Sequence, residues 1–134
     1  MPNFQNKDPL QEIKNGINNN STDHTPEFDP ADIRANASLS GACYIAFLFF
    51  LPLVMRPDSR FARFHANQGL VLFIFSAIIG VLETVVDVIP IVGGILRAVL
   101  GLVTLGLFLF GFVNALNGKA KELPFIGGIS LIKY

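Results

Sequence analysis

The sequence alternates between polar segments and three long apolar runs. The first run, from Asn36 to Met55, carries no charged residue, the second extends from Gly69 to Pro90, and the third from Ile95 to Leu116. A helix of about 20 residues is about 30 Å long, which matches the hydrocarbon core of a bilayer. The pattern therefore predicts an all-α membrane protein with three transmembrane helices, at about residues 37–55, 68–89 and 94–116.

Small and polar residues recur on one face of the second and third predicted helices. On the second helix the stripe consists of Gly69, Phe73, Ser76, Gly80, Glu83 and Asp87. On the third helix it consists of Gly94, Arg97, Gly101, Thr104, Phe108, Gly111, Ala115 and Gly118. Such residues concentrate where transmembrane helices pack, so the two stripes are expected to face each other. Because the connection at residues 88–94 is short, these two helices are predicted to form an antiparallel hairpin.

The first 34 residues differ in composition from the rest of the chain. They are polar and acidic, and such a segment buries too little apolar surface to offset the entropy of ordering it. We therefore predict a disordered tail at residues 1–34 and a helical membrane domain at residues 35–134. Within the tail, Asp29 and Pro30 have the pattern of a helix start, as N-cap and first helical residue. His24 stands alone among turn residues and is predicted to be solvated.

Charge and cysteine content exclude several classes of function. The formal net charge is zero, which argues against nucleic acid as a partner, because phosphate binding needs a concentrated basic surface. The single cysteine, Cys43, lies in the first apolar run and is predicted to be a small core residue. The sequence contains no phosphate-binding loop and no set of metal ligands, so no enzyme, metal or cofactor is expected. The expected partners are the lipid bilayer and either other membrane proteins or further copies of the chain.

Basic residues near the apolar runs predict an orientation. The first loop carries Arg56, Arg60 and Arg63, and the segment after the third run carries Lys119 and Lys121. Three spans place both groups on one side, and positive residues in short flanks favour the cytoplasmic side. We therefore expect a multi-pass protein of the cell membrane, with the N-terminus outside and the C-terminus in the cytoplasm.

The stretch from Arg56 to Gly69 is the main polar interruption of the apolar body. The hairpin would bring Asn114 and Asn117 level with its His65, Asn67 and Gln68. We define the polar cap, a predicted binding surface, as Arg60, Arg63, His65, Asn67, Gln68, Asn114 and Asn117. Its arginines alternate with phenylalanines, a pattern that suits anionic lipid headgroups, with recognition of a protein partner as the alternative. His65 has no catalytic partner at a suitable spacing, so a hydrogen-bonding role at the junction is favoured.

Three charged residues stand inside or at the edge of the apolar runs: Glu83, Asp87 and Arg97. Charge in a membrane is costly unless it is paired or hydrated. The favoured interpretation is an ion pair that fastens the hairpin, and the alternatives are a water-filled conduction route and a plain surface role.

Three segments resemble a known family. They are residues 44–52 (YIAFLFFLP), residues 63–70 (RFHANQGL), and Asn114 to Lys119 followed by Leu123 and Pro124. Together they resemble small bacterial membrane proteins of unknown function that are related to the Tic-twenty subunit of the chloroplast import machinery. The resemblance implies a helical inner-membrane protein with a part in moving or inserting polypeptides.

The expected function is that of a non-enzymatic membrane component that works through helix packing and the polar cap, in a translocation or envelope complex. The alternative is a small oligomeric channel or transporter that uses Glu83, Asp87 and Arg97.

Overall fold

The structure is a computed structural model that describes residues 22–45 and 48–134. The predicted disorder of residues 1–21 concerns a segment outside the described residues. The described residues form four α-helices, which are α1 (Pro30–Ala42), α2 (Leu51–Met55), α3 (Arg60–Val86) and α4 (Val92–Leu116), and two 3-10 helices (Thr25–Glu27 and Leu48–Phe50). The predicted all-α class is confirmed for this part of the chain.

The two long helices α3 and α4 form the expected hairpin. They contain 27 and 25 residues and are long and apolar enough to cross a membrane. At the turn between them, Gly93 lies so close to the carbonyl group of Val86 that an added methyl carbon would be 2.7 Å from its oxygen. Helix α4 ends at Leu116 with Asn117 as its C-cap, and Gly118 follows with a φ of 74°. Glycine adopts a positive φ without steric cost and commonly ends helices in this way.

The described residues of the first predicted span, 37–45 and 48–55, do not form one continuous helix. Helix α1 ends at Ala42, and the chain returns through a 3-10 helix and the short helix α2 to Arg56. Ser40 and Gly41, just before Cys43, are buried, and a methyl carbon at Gly41 would lie 2.9 Å from the side chain of Leu116 in α4. Pro52 stands in the first turn of α2, where proline is tolerated, but it has no amide hydrogen with which to continue a helix from the preceding residues. The Oγ atom of Ser59, just after this run, lies 2.5 Å from the Oδ1 atom of Asp32 at the start of α1. The two ends of this apolar run therefore lie at the same end of the hairpin.

The N-terminal segment contacts the C-terminal segment directly. The amide of His24 donates to the carbonyl oxygen of Ala120 at 2.8 Å, and the amide of Glu122 donates to that of Thr22 at 3.0 Å. Segments that share hydrogen bonds lie on one side of a membrane. The predicted topology, with the N-terminal tail and the C-terminus on opposite sides, is therefore wrong for these residues.

The end of the predicted tail is folded. Residues 25–27 form a 3-10 helix, and α1 begins at Pro30. The predicted start of α1 is confirmed, because the Oδ1 atom of Asp29 accepts a hydrogen bond of 2.9 Å from the amide of Ala31.

The molecule has two halves with different surroundings. We call residues 22–45, 48–72 and 107–134 the cap half, and residues 73–106 the hairpin half. The buried apolar side chains belong to the cap half: Phe28, Cys43, Tyr44, Phe61, Ala62, Phe64, Ala66, Val71, Leu72, Leu107, Ala115, Ala120 and Leu123. The hairpin half exposes Ile78, Val81, Leu82, Val85, Val99 and Leu102. The predicted burial of Cys43 is confirmed, and the protein core lies around the polar cap.

Candidate functional site: the polar cap

The stretch predicted as a polar loop is the first part of helix α3. Ser59 is the N-cap, and its Oγ atom accepts a hydrogen bond of 3.0 Å from the amide of Ala62. The carboxylate of Asp32 lies at this helix start, where Oδ2 accepts from the amide of Phe61 at 3.0 Å and Oδ1 accepts from Ser59. A carboxylate satisfies the free amides and positive dipole of a helix N-terminus. Asp32 therefore joins α1 to α3.

His65 is fully buried, and both of its ring nitrogens have partners. Its Nε2 atom lies 3.0 Å from the carbonyl oxygen of Lys119, and its Nδ1 atom lies 2.6 Å from the Oη atom of Tyr44. A carbonyl oxygen only accepts, so Nε2 donates, and Nδ1 of the neutral ring accepts from the tyrosine hydroxyl. The rings of Phe61 and Phe64 enclose the imidazole, with centroids at 4.8 and 5.1 Å. His65 therefore links three segments and has no nitrogen left for base catalysis.

Asn67 fixes the last residues of the chain. Its Nδ2 atom donates to the carbonyl oxygen of Ile129 at 2.9 Å. Its Oδ1 atom accepts from the amides of Leu131 and Ile132 at 2.6 and 2.9 Å. One buried side chain thus forms three hydrogen bonds with a segment that has no regular structure of its own.

Gln68 does the same for the preceding turn. Its Nε2 atom donates to the carbonyl oxygen of Gly127 at 2.9 Å, and its Oε1 atom accepts from the amide of Leu123 at 2.8 Å. Buried polar groups are costly unless they are hydrogen-bonded, and here each partner satisfies the other. The two adjacent amides therefore clamp residues 123–132 onto helix α3.

Two glycines allow the re-entrant run to approach the hairpin. A methyl group at Gly69 would overlap the carbonyl oxygen of Cys43, and one at Gly111 would overlap the ring of Tyr44. Both glycines belong to the predicted stripes, but their neighbours come from the run between α1 and α2. The stripes were predicted to contact each other, and at these positions a third segment lies between them.

Farther along the hairpin the stripes border an open groove. Its volume is about 470 Å³, and its lining includes Ser76, Glu83 and Thr104. A methyl group added at Gly80 or Gly101 would meet no atom within 4 Å. The stripes were predicted to face each other, and here they line one groove from both sides, although the helices do not fill it.

Four predicted members of the polar cap lie nearer the surface. Arg60 is exposed, with its guanidinium carbon 5.4 Å from the ring centre of Phe28, and Arg63 is half-buried. Asn114 donates to the carbonyl oxygen of Phe110 in its own helix at 2.8 Å, and Asn117 is exposed at the helix end. The polar cap therefore divides into three buried clamps and four outer residues.

The charged residues of the hairpin lie near its turn. Arg97 and Asp87 form an ion pair across the turn, with side-chain exposures of 54% and 39%. Glu83 is half-buried in the groove, and its carboxylate forms no ion pair with any described residue. The structure thus brings two of the three predicted residues together. Over residues 22–45 and 48–134, no group of three His, Cys, Asp or Glu residues could hold a metal ion.

Sequence reasoning missed the N-terminal strap, which we define as residues 22–28. His24, predicted to be solvated, has Nδ1 at 2.8 Å from Glu27 and Nε2 at 2.7 Å from Glu122. Partial burial disfavours protonation of the ring, but the hydrogen bonds and charges of Glu122 and Glu27 outweigh it and raise the pKa of His24. The Oγ1 atom of Thr25 also accepts a hydrogen bond of 2.9 Å from the amide of Ala120.

The comparison with known proteins identifies the family. The profile of the magnetosome magnetite crystal formation protein family matches residues 33–132, which include most of α1, the whole hairpin and the clamped C-terminal segment. The chain belongs to this family. No solved structure matches the chain.

Curated relatives come from bacteria and an archaeon. Magnetosome protein MmsF of Paramagnetospirillum magneticum is 30% identical over 69% of this chain and 82% of its own length. Magnetosome protein MamF of the same organism is 32% identical over 66% of this chain and 77% of its own length. A UPF0132 membrane protein of Methanocaldococcus jannaschii is 32% identical over 66% of this chain, and the match spans 62% of that protein. Together with the two apolar helices, these names identify a membrane protein.

The resemblance to the Tic-twenty family is wrong. It depended on a short motif and on apolar helices, whereas the family match extends over most of the chain and is to a different family. The motif has a local explanation, because His65, Asn67, Gln68 and Gly69 all serve the packing of the cap half. The comparisons give no support to a role in protein translocation.

Proposed function

We propose that the protein is a non-enzymatic structural component of a membrane, with a two-helix anchor and a rigid cap half on one side. The observation that carries the proposal is the use of the central polar side chains. His65, Asn67 and Gln68 are each at most 1% exposed, and their hydrogen bonds go to the protein itself. Side chains committed in this way hold a shape and leave no group free for chemistry.

The family supports a structural role in a specialised membrane. The relatives MmsF and MamF are named as magnetosome proteins, while the archaeal relative is named only as a membrane protein. A structural role in the membrane is compatible with both kinds of name. The protein would act through packing with lipid and with membrane proteins, including further copies of itself.

The charge distribution supports a cytoplasmic cap. Arg56, Arg60, Arg63, Lys119 and Lys121 all belong to the cap half, whereas the hairpin turn has Arg97 paired with Asp87. Positive residues that flank short spans favour the cytoplasmic side. With two spans, both the N-terminal strap and the C-terminus would then be cytoplasmic.

Labelling in cells of cysteines introduced one at a time, with Cys43 retained, tests this arrangement. Ile91→Cys at the hairpin turn should react with a membrane-impermeant maleimide added outside, and Ser130→Cys should react only after the membrane is opened. Cys43 is buried, so the unmodified protein serves as the unlabelled control. Reaction of both variants from outside, or recovery of the protein in the soluble fraction, would contradict the proposal.

A small oligomeric channel is the second candidate, and the groove favours it. Ser76, Glu83 and Thr104 give this groove a polar lining among apolar walls. Several copies with their grooves turned inward would enclose a polar path, since intramembrane carboxylates commonly mark ion routes. Conductance in planar bilayers that Glu83→Gln abolishes would support the channel, whereas absence of conductance would leave the structural role.

A further inference from the structure

The two halves of the molecule occupy different cross-sectional areas in the two leaflets of the bilayer. Such a difference favours one membrane curvature over the other. This inference depends on the proposed membrane anchor and on the position of the cap half at one face. It goes further, because it predicts which membrane curvature the protein prefers.

The ends of the hairpin set the position of the bilayer. Arg97 near the turn and Asn117 at the other end of α4 are 20 residues apart, which corresponds to about 30 Å of helix. That length equals the thickness of the hydrocarbon core. The middle of the bilayer then lies near Leu107, at the border between the hairpin half and the cap half.

The segments of the cap half that pack on α3 and α4 end near the middle of the bilayer. The ring of Tyr44 packs on Gly111, and the ring centre of Phe49 lies 5.7 Å from that of Phe73. On the other side, Pro124, Phe125 and Ile126 border a recess that includes Gly106. Gly106 is 11 residues from Asn117, or about 16 Å along the helix. The same recess includes Val103, which is 14 residues or about 21 Å from Asn117 along the helix, so the added segments reach between about half and about two thirds of the way through the bilayer.

The outer surface of these added segments is apolar. Val54 and Met55 of α2 are 73% and 59% exposed, and Phe125 and Leu131 of the C-terminal segment are 86% and 54% exposed. Phe125 has a φ of 69°, a backbone conformation that costs energy for a residue with a side chain. Exposed apolar side chains that continue the surface of two membrane helices are suited to acyl chains. The basic residues of the cap half border this surface, as expected next to anionic headgroups.

The opposite leaflet meets a much thinner body. Ile78 of α3 and Val103 of α4 still border recesses with residues of the C-terminal segment. Between them and the turn, α3 and α4 are largely exposed, and their glycines reduce the width further. Gly80, Gly94, Gly101 and Gly106 have no neighbouring atom within 4 Å of an added methyl carbon. In the cap-side leaflet, α1, the run that includes α2, and residues 123–132 surround the same two helices.

We propose that the protein is a membrane wedge that prefers bilayers convex on the side of the cap half. A protein that occupies more area in one leaflet than in the other fits best where that leaflet has the larger area, which is on the convex side of a curved membrane. Apolar surface inserted into one leaflet is known to make membrane binding sensitive to curvature. With the cap half in the cytoplasm, the preferred membrane bulges toward the cytoplasm.

Sorting between a flat membrane and a narrow tube tests the wedge. The full chain is reconstituted in giant vesicles of phosphatidylcholine and phosphatidylglycerol, and a tube is pulled outward from each vesicle. An impermeant dye on Lys133→Cys marks only molecules with the cap half outside, and the same dye on Ile91→Cys marks only those with the cap half inside. The tube-to-vesicle density ratio should exceed unity for the first label and fall below unity for the second.

Widening the hairpin half should weaken this sorting. Gly80→Leu combined with Gly101→Leu fills open space in the thin leaflet, so its ratios should move toward unity. Gly128→Leu is the matched control, because it adds the same side chain in open space on the cap half and should preserve the sorting. Ratios of unity for both labels, or deviations in the same direction, would overturn the wedge. If the labels mark the two orientations and the ratios are equal, only the wedge fails; if the protein does not insert, the anchor itself is refuted.

Discussion

Away from Gly93 at the hairpin turn, the glycine residues of α3 and α4 have opposite surroundings in the two halves of the molecule. In the cap half, Gly69 and Gly111 lie against a carbonyl oxygen and an aromatic ring, and neither site has room for a methyl group. In the hairpin half, Gly80 and Gly101 face empty space. The same residue type thus permits close packing at one end and narrows the molecule at the other.

Polar side chains follow the same division. The central polar side chains of the cap half, His65, Asn67 and Gln68, are buried and hydrogen-bonded, whereas the ion pair of the hairpin half is half-exposed near the turn. The cap half has a packed interior like that of a soluble domain, whereas the hairpin half exposes apolar side chains like a lipid-facing surface. The difference indicates that stability comes mainly from one end of the molecule.

The largest expected effect is that of Gly69→Ala. Because the neighbour of the added methyl group is the main chain of Cys43, the strain has no flexible side chain to absorb it. Overpacking of this kind costs about 1–3 kcal/mol and sometimes more, and we expect the upper end of this range. Thermal unfolding in detergent measures it. Gly80→Ala is the control and should be neutral or stabilising by up to about 1 kcal/mol, so equal losses in the two variants would break the comparison.

Gln68→Leu should come next. It leaves the carbonyl oxygen of Gly127 and the amide of Leu123 without their side-chain partner. Each loss should cost about 1 kcal/mol, the lower end of the range for a buried group, because the released segment can turn both groups toward water. We expect lower thermal stability and faster chymotrypsin cleavage at Phe125. Asn114→Leu is the matched control, because the side chain of Asn114 bonds only to Phe110 in its own helix. If cleavage at Phe125 is equally slow in both variants, the clamp does not hold the C-terminal segment.

A smaller effect should depend on pH. Because the pKa of His24 is raised, its contribution is complete below the ordinary histidine pKa of about 6.5 and is lost as the pH rises through the raised value. The contribution should not exceed about 1 kcal/mol, because Glu27 is largely in solvent. The measurement is the Tm difference between the wild type and His24→Gln from acidic to alkaline pH. A difference that grows toward alkaline pH would contradict the role of His24.

The smallest effect is expected at the hairpin turn. Arg97→Leu removes the ion pair with Asp87, but both side chains are at least 39% exposed. Exposed pairs contribute about 0–1 kcal/mol, so the detergent unfolding temperature should change little. A loss as large as that of Gly69→Ala would mean that the turn, and not the cap half, holds the hairpin together.

The helical class, the hairpin, the start of α1 and the end of α4 could be predicted from the sequence because they depend on local signals. Asp29 and Pro30 begin α1, and Asn117 and Gly118 end α4, as their residue types indicate. The juxtaposition of His65 with the segment after α4 also follows from the hairpin register. Its Nε2 atom lies 3.0 Å from the carbonyl oxygen of Lys119.

The fate of the first apolar run could not be predicted from its length. A helix through residues 37–55 has the composition of a span, but the contacts of Cys43 and Tyr44 with Gly69 and Gly111 favour a re-entrant path. Those partners are 26 and 67 residues away in the sequence. His24 and Glu122 are 98 residues apart, so the local sequence could not predict the contact of the N-terminal strap either. Contacts between residues distant in the sequence, and not the local sequence pattern, determine the path of the first apolar run and the position of the N-terminal strap.

The central claim is that the N-terminal strap and the C-terminal segment lie on one side of the membrane. Asp23 and Lys121 form an antiparallel bridge, and residues so paired have Cα atoms about 4.5–5.5 Å apart, within reach of a disulfide. A Cys43→Ala protein with Asp23→Cys and Lys121→Cys should therefore form an internal disulfide when isolated membranes are oxidised. The pair Asp23→Cys and Ile91→Cys should not. Failure of the first pair to crosslink, with both cysteines reactive from opposite sides of the membrane, would restore three spans and contradict the account.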